Sequence, residues 1–229
     1  IARGPRLDET DEALPFGATV ATLAVAIVGV IAFCSLAGMA LWVVVGFFAV
    51  FYALAIALAR VRAELGPPYH ELIRINPREF MVDTFGSRVL RAPNLMGMTF
   101  LYGYNRCNRA HPMPAQIEAF KMAERSGTSA RRVFAAIVIA TVVGSVATFW
   151  AYLDITYRYG VTGRLNGWIR HSGWESFRPL QGWIQNPQGP SNVGTGLMGL
   201  GFVFVAALYA LRARFVWWPL HPSGYVLSG

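Results

Sequence analysis

From Phe16 to Ala59 the chain carries no charged side chain. At a rise of about 1.5 Å per residue that run would make roughly 66 Å of helix, about twice the hydrocarbon thickness of a bilayer. One helix does not fit it across a membrane, and a soluble core has no use for it. The pattern predicts two spans, Phe16 to Ala37 and Met39 to Ala59, with Gly38 between them supplying the positive φ of a tight turn. Two more uncharged runs approach the length a span requires. Val133 to Leu153 is bounded by Arg131, Arg132 and Asp154, and Val193 to Leu211 by Arg212 and Arg214. The predicted fold class is all-α: a polytopic integral membrane protein of about four transmembrane helices, with short re-entrant or interfacial helices.

The same pattern divides the chain. A polar N-terminal segment (1–15) leads into the transmembrane hairpin (16–60). A basic segment with short helices (61–132) precedes the third span (133–153). A Trp-rich loop (154–192), the fourth span (193–214) and an aromatic end (215–229) follow.

Inside the basic segment the polar and apolar positions carry helix signals. Asn76-Pro77-Arg78-Glu79 predicts a start, with Asn76 as N-cap and Pro77 at the first helical position, and Gly86 a stop. This short helix is expected on the surface. Pro114 to Gly127 predicts another helix, with Glu118, Lys121 and Arg125 on one face and Ile117, Phe120 and Ala123 elsewhere. It reads either as an amphipathic helix at the membrane interface or as one packed on its neighbours. Leu95 to Tyr104 is apolar but too short to span, so 95–109 reads as a re-entrant, interfacial or buried helix. Asn105, Asn108 and Arg109 share a helical face beyond it, and His111 and Pro112 follow. If this segment dips into the membrane, its polar face marks a cavity; if it lies on the surface, the same residues are solvated.

Charge distribution orients the spans. Of twenty Lys and Arg residues, twelve lie between Arg60 and Arg132, and four between Asp154 and Asn192. A layout with both termini inside puts sixteen on the inner face and four outside, as the positive-inside rule requires. The net charge of +8 then reflects anionic headgroups of the bilayer rather than nucleic acid, which is not expected as a partner. The composition, 55% hydrophobic and 14% charged, agrees with a membrane protein carrying sizeable aqueous loops. Trp150, Tyr152, Trp217 and Trp218 sit at span ends, where amphipathic rings favour the interface. Opening at Ile1 and stopping after an aromatic stretch, with no signal peptide, the sequence reads as a piece of something longer.

Little catalytic chemistry emerges. Gly194-Thr-Gly196-Leu-Met-Gly199 matches a dinucleotide-binding string but opens a span, so close helix packing is the better reading. His70, His111, His171 and His221 lack metal-ligand spacing, and Cys34 and Cys107 fall on opposite sides, so neither a metal nor a disulfide is expected. Glu64 with Arg60 and Arg62 reads as an ion-pair cluster at the membrane surface, or as a gate. Asp154 beside Tyr152 and Tyr157 is a weak candidate for ion coupling. No catalytic constellation appears, so neither an enzyme nor a cofactor is expected. A His-Pro pair follows an apolar aromatic segment twice, at His111 and at His221, as in transporters with paired broken helices. The simpler reading is prolines ending helices. The candidate cavity residues are Asn105, Asn108, Arg109, His111 and His221.

The strings RVRAELGPP (Arg60 to Pro68), NRAHPMPAQIEAFKMAER (Asn108 to Arg125) and FVWWPLHPSGY (Phe215 to Tyr225) resemble an uncharacterised bacterial family of large multi-spanning membrane proteins. That family is loosely similar to oligopeptide transporters. The resemblance implies further spans beyond the last motif, a bacterial cytoplasmic membrane location and a transporter-like permease of unknown substrate. The alternative is a non-catalytic accessory subunit packed against other membrane chains.

Overall fold

The computed structural model describes residues 12–66, 76–106, 111–160, 167–215, 217–220 and 222. Among them there is no strand, and four helices are long and apolar enough to cross a membrane. The protein is an all-α integral membrane protein.

The first helix, α1 (Phe16–Leu36), starts after Pro15, whose carbonyl accepts from Thr19 N. It ends in a turn in which Gly38 has φ 89° and donates to Ser35 O. α2 (Leu41–Leu65) stops at Gly66, which takes the left-handed conformation (φ 63°) and returns its N–H to Arg62 O at 2.8 Å. The spanning helix α7 (Ala130–Tyr159) is about 45 Å long and runs past the expected end at Leu153. α9 (Asn192–Arg214) is capped by Ser191, whose Oγ accepts from Gly194 N at 3.0 Å. Three hydroxyls inside the spans are satisfied locally: Thr19, Thr22 and Thr141 each donate to the carbonyl four residues back.

Between α2 and α7 lie four shorter helices: α3 (Pro77–Phe85), α4 (Ser87–Phe100), α5 (Tyr102–Arg106) and α6 (Pro112–Ser126). The cap expected of α3 is present, with Asn76 Oδ1 accepting from Glu79 N at 2.8 Å and Gly86 closing the helix. Its surface location is not: Pro77, Arg78, Met81 and Val82 are buried. The expected helix at 95–109 is α4 and α5, separated at Leu101, with α4 beginning eight residues earlier. α6 starts at Pro112 rather than Pro114, so the proline of the first His-Pro pair opens a helix instead of ending one. The Trp-rich loop holds α8 (Gly167–Gln185), a helix that its Gly and Pro content concealed.

The chain forms two compact units, residues 1–34 with 112–177 and residues 35–111 with 178–229. In the first, α6 packs on the first half of α7. In the second, α3 packs against α2, α4, α5 and α9. The core of the second unit is Val43, Val44 and Phe47 of α2 with Met81, Leu90, Leu95 and Met98. The glycines of the GxGxxG string divide: Gly194 lies against Ser191 and Asp83, whereas Gly196 and Gly199 face open space and bring no described helix close.

Candidate functional site

α2 serves as a depth gauge for the second unit. Near its start, the Trp42 ring lies 5.3 Å from that of Phe85, and one turn on, Gly46 lies against Met81. α3 therefore runs antiparallel to α2, with its C-terminal end at the Leu41 end. α4 and α5 return parallel to α2. Ala40 N donates to Asn94 Oδ1 at 2.6 Å, and Gly97 lies so close to Met39 that a Cβ there would overlap it. Further along, the Tyr104 ring is 5.6 Å from Phe48 and 5.0 Å from Phe51, and His111 is 5.4 Å from Phe51. Leu41 to Phe51 is about 15 Å, half the hydrocarbon thickness. Helices α3 to α5 thus form a hairpin beside α2, reaching from about mid-depth to the Leu41 end.

The hairpin tip is irregular backbone, tolerated at such a place only where other protein groups satisfy it. Gly86 has φ 80° and Arg91 has φ 59°, ψ 160°, a conformation essentially reserved for glycine. Residues 187–195 supply the partners. Gln188 N donates to Ser87 Oγ at 2.9 Å, and Arg88 N donates to Gln188 O at 3.0 Å. Ser191 N donates to Asp83 O at 2.8 Å, and Thr195 Oγ1 to the same oxygen at 3.2 Å. Close approach demands the glycine: a Cβ on Gly86 would stand 2.5 Å from the Gly189 carbonyl carbon. Asn94 closes the base of the tip by capping α2 through Ala40 N and donating to Leu90 O at 2.7 Å.

At the other end of the hairpin, Asn105 is buried and its amide is fully engaged. Its Nδ2 donates to Met98 O at 2.9 Å and to Leu101 O at 3.1 Å, and its Oδ1 accepts from Arg78 N at 3.0 Å. Asn105 therefore clamps the two limbs together. The Arg78 side chain is buried, its guanidinium carbon 5.2 Å above the Trp183 ring of α8 and one nitrogen 4.0 Å from Glu79 Oε1. A buried cation stacked on an indole is stabilised by the ring quadrupole and by its weak hydration. A charge at such depth is a functional-site hypothesis by default.

Of the residues expected from sequence, the structure brings Asn105 to the foot of the hairpin and His111 to the Phe51 ring. Asn108, Arg109 and His221 lie outside the described residues, as do His70 and Cys107. Glu64 Oε1 accepts from Arg60 Nε at 2.8 Å, and Arg60 also lies 5.8 Å over the Tyr209 ring of α9. Asp154 pairs with Arg158 at 2.7 Å on the same helix. Cys34 is buried with a free thiol. Sequence reasoning missed Arg78, Trp183 and Asn94. A signal for Arg78 existed, since it shares a helical face with Met81, Val82 and Phe85; Trp183 had none, because its partner is remote in sequence.

Searches of curated proteins and of solved structures find no match to the chain. The profile of a family of unknown function (DUF6785) matches residues 1–229, and the chain belongs to that family.

Proposed function

We propose that this protein is part of a transporter-like permease, with its substrate path beside the α3–α5 hairpin. The observation that carries this reading is the hairpin itself, which ends about halfway along a spanning helix with Arg78, Asn105 and His111 at its foot. Broken helical elements that stop near the midplane are a recurrent way to present polar groups to a solute. The Arg-rich ends support a sidedness in which Arg60 and Arg62 of α2 and Arg212 and Arg214 of α9, with both termini, face the cytoplasm; the hairpin tip then faces outward and carries Arg88 and Arg91 with it, against the inner placement expected for all of 61–132. The family resemblance of the Arg60, Asn108 and Phe215 strings supports a bacterial cytoplasmic membrane and a loose likeness to oligopeptide transporters, with the substrate itself unknown. The test is uptake of a panel of peptides and metal chelates by the full-length protein in liposomes. Accumulation that Arg78→Gln abolishes is the expected result; no uptake, with or without a proton gradient, overturns the reading.

A second reading, a non-catalytic accessory subunit, is favoured by α7, which has no buried residue along its 30 residues. Native purification then yields fixed partner chains, and a monomer that carries substrate excludes it.

A further inference from the structure

α7 is pinned in the bilayer by its charges. Between Arg132 and Asp154 lie only uncharged residues, about 31 Å of helix, which matches one hydrocarbon thickness. α6 shares a groove of about 310 Å³ with it, in which Gln116 and Phe120 face Phe134, Ile137, Thr141 and Val142. Val142 stands about 15 Å beyond Arg132 along the helix axis, close to the bilayer midplane. A helix that lines a groove with Val142 is not resting on the membrane surface. α6 therefore folds back along α7 and descends to about mid-depth at its Pro112 end.

That placement creates a problem for the far side of α6. At 100° per residue, Gln116, Phe120 and the buried Ala123 share the face towards α7, while Glu118, Lys121 and Arg125 lie on the opposite face and are exposed. Glu118 then lies near mid-depth, with Lys121 and Arg125 about one and two turns nearer the Arg132 end; charges inside the hydrocarbon are costly and almost always face a bundle interior or water. Acyl chains do not cover this face. We propose that the Glu118–Lys121–Arg125 face of α6 lines a water-filled vestibule, open at the Arg131/Arg132 end and reaching to about mid-membrane, that admits small hydrated solutes. The inference stands on the first unit alone and does not depend on the hairpin reading.

Single cysteines in the full chain, with Cys34 and Cys107 replaced, test it. The probe is a cationic, membrane-impermeant methanethiosulfonate applied to each side of sealed vesicles. Glu118→Cys, Lys121→Cys and Arg125→Cys are expected to react from the Arg131/Arg132 side at least ten-fold faster than Ile139→Cys or Val146→Cys. Equal rates overturn the vestibule, since another protein surface or lipid then covers the face. Comparable reaction at Phe120→Cys overturns the depth assignment, since α6 would then stand free in water. The unsubstituted protein gives an independent measure through a water-soluble carbodiimide with an added amine. Glu118 is modified from the same side as Glu124 if the vestibule exists; modification of Glu124 alone overturns it.

Discussion

Single residues decide whether the hairpin closes. Gly86 and Gly66 both have positive φ, yet a Cβ at Gly66 meets nothing within 4 Å, while at Gly86 it strikes the Gly189 backbone. Gly66→Ala is expected to cost about 1 kcal/mol, the strain of the left-handed region alone. Gly86→Ala adds a backbone overlap and is expected to cost more than about 3 kcal/mol. Thermal unfolding in detergent compares the two directly, and equal losses would contradict the close approach. Asn105→Ala removes hydrogen bonds to Arg78 N, Met98 O and Leu101 O. About 2 kcal/mol or more of stability is expected to go with them, because buried groups are left unsatisfied. The signals for these residues in the sequence were unequal. Gly86 was legible as a helix stop. Asn105 was legible as a polar residue after an apolar run, but its role as a clamp depends on the Arg78 backbone, which no spacing rule connects to it.

At the scale of elements, the hairpin and the α8–α9 connection are one construction. Ser87 and Gln188 are 101 positions apart and hydrogen-bonded at 2.9 Å. A Ser87→Cys, Gln188→Cys pair is therefore expected to form a disulfide or a short thiol cross-link in the membrane, read as a mobility shift that a reductant reverses. Failure to cross-link would separate the hairpin tip from residues 187–191. Helix ends were largely legible here, because caps are local: Asn76 and Pro77 start α3 and Gly86 ends it. The location of α3 was not. Its shortness suggested a surface helix, but Glu79 and Asp83 are only half-buried while Arg78 is covered by Trp183. α8 was invisible because Gly173, Pro179 and Gly182 lower its helix propensity, and tertiary packing overrides that.

At the scale of the molecule, α2 and α9 run parallel. Ala40 and Trp42 share the hairpin tip with the start of α9, and Arg60 lies over Tyr209 near its end. The turn between α1 and α2 then lies opposite the four arginines. Ala37→Cys, exposed in that turn, is expected to react with an impermeant thiol reagent from the outer side only. Reaction from the cytoplasmic side would invert the whole orientation.

By itself the sequence determined the class, the number of spanning helices and most helix ends. These follow from hydropathy over about twenty residues and from caps within four, which are properties of neighbours along the chain. Only the tertiary structure decided that residues 76–106 stand beside α2 as a hairpin, that Arg78 is buried on Trp183, and that α6 folds back along α7. Each depends on packing between helices rather than on signals within one, and its free energy comes from contacts and hydrogen bonds that only a formed fold can complete.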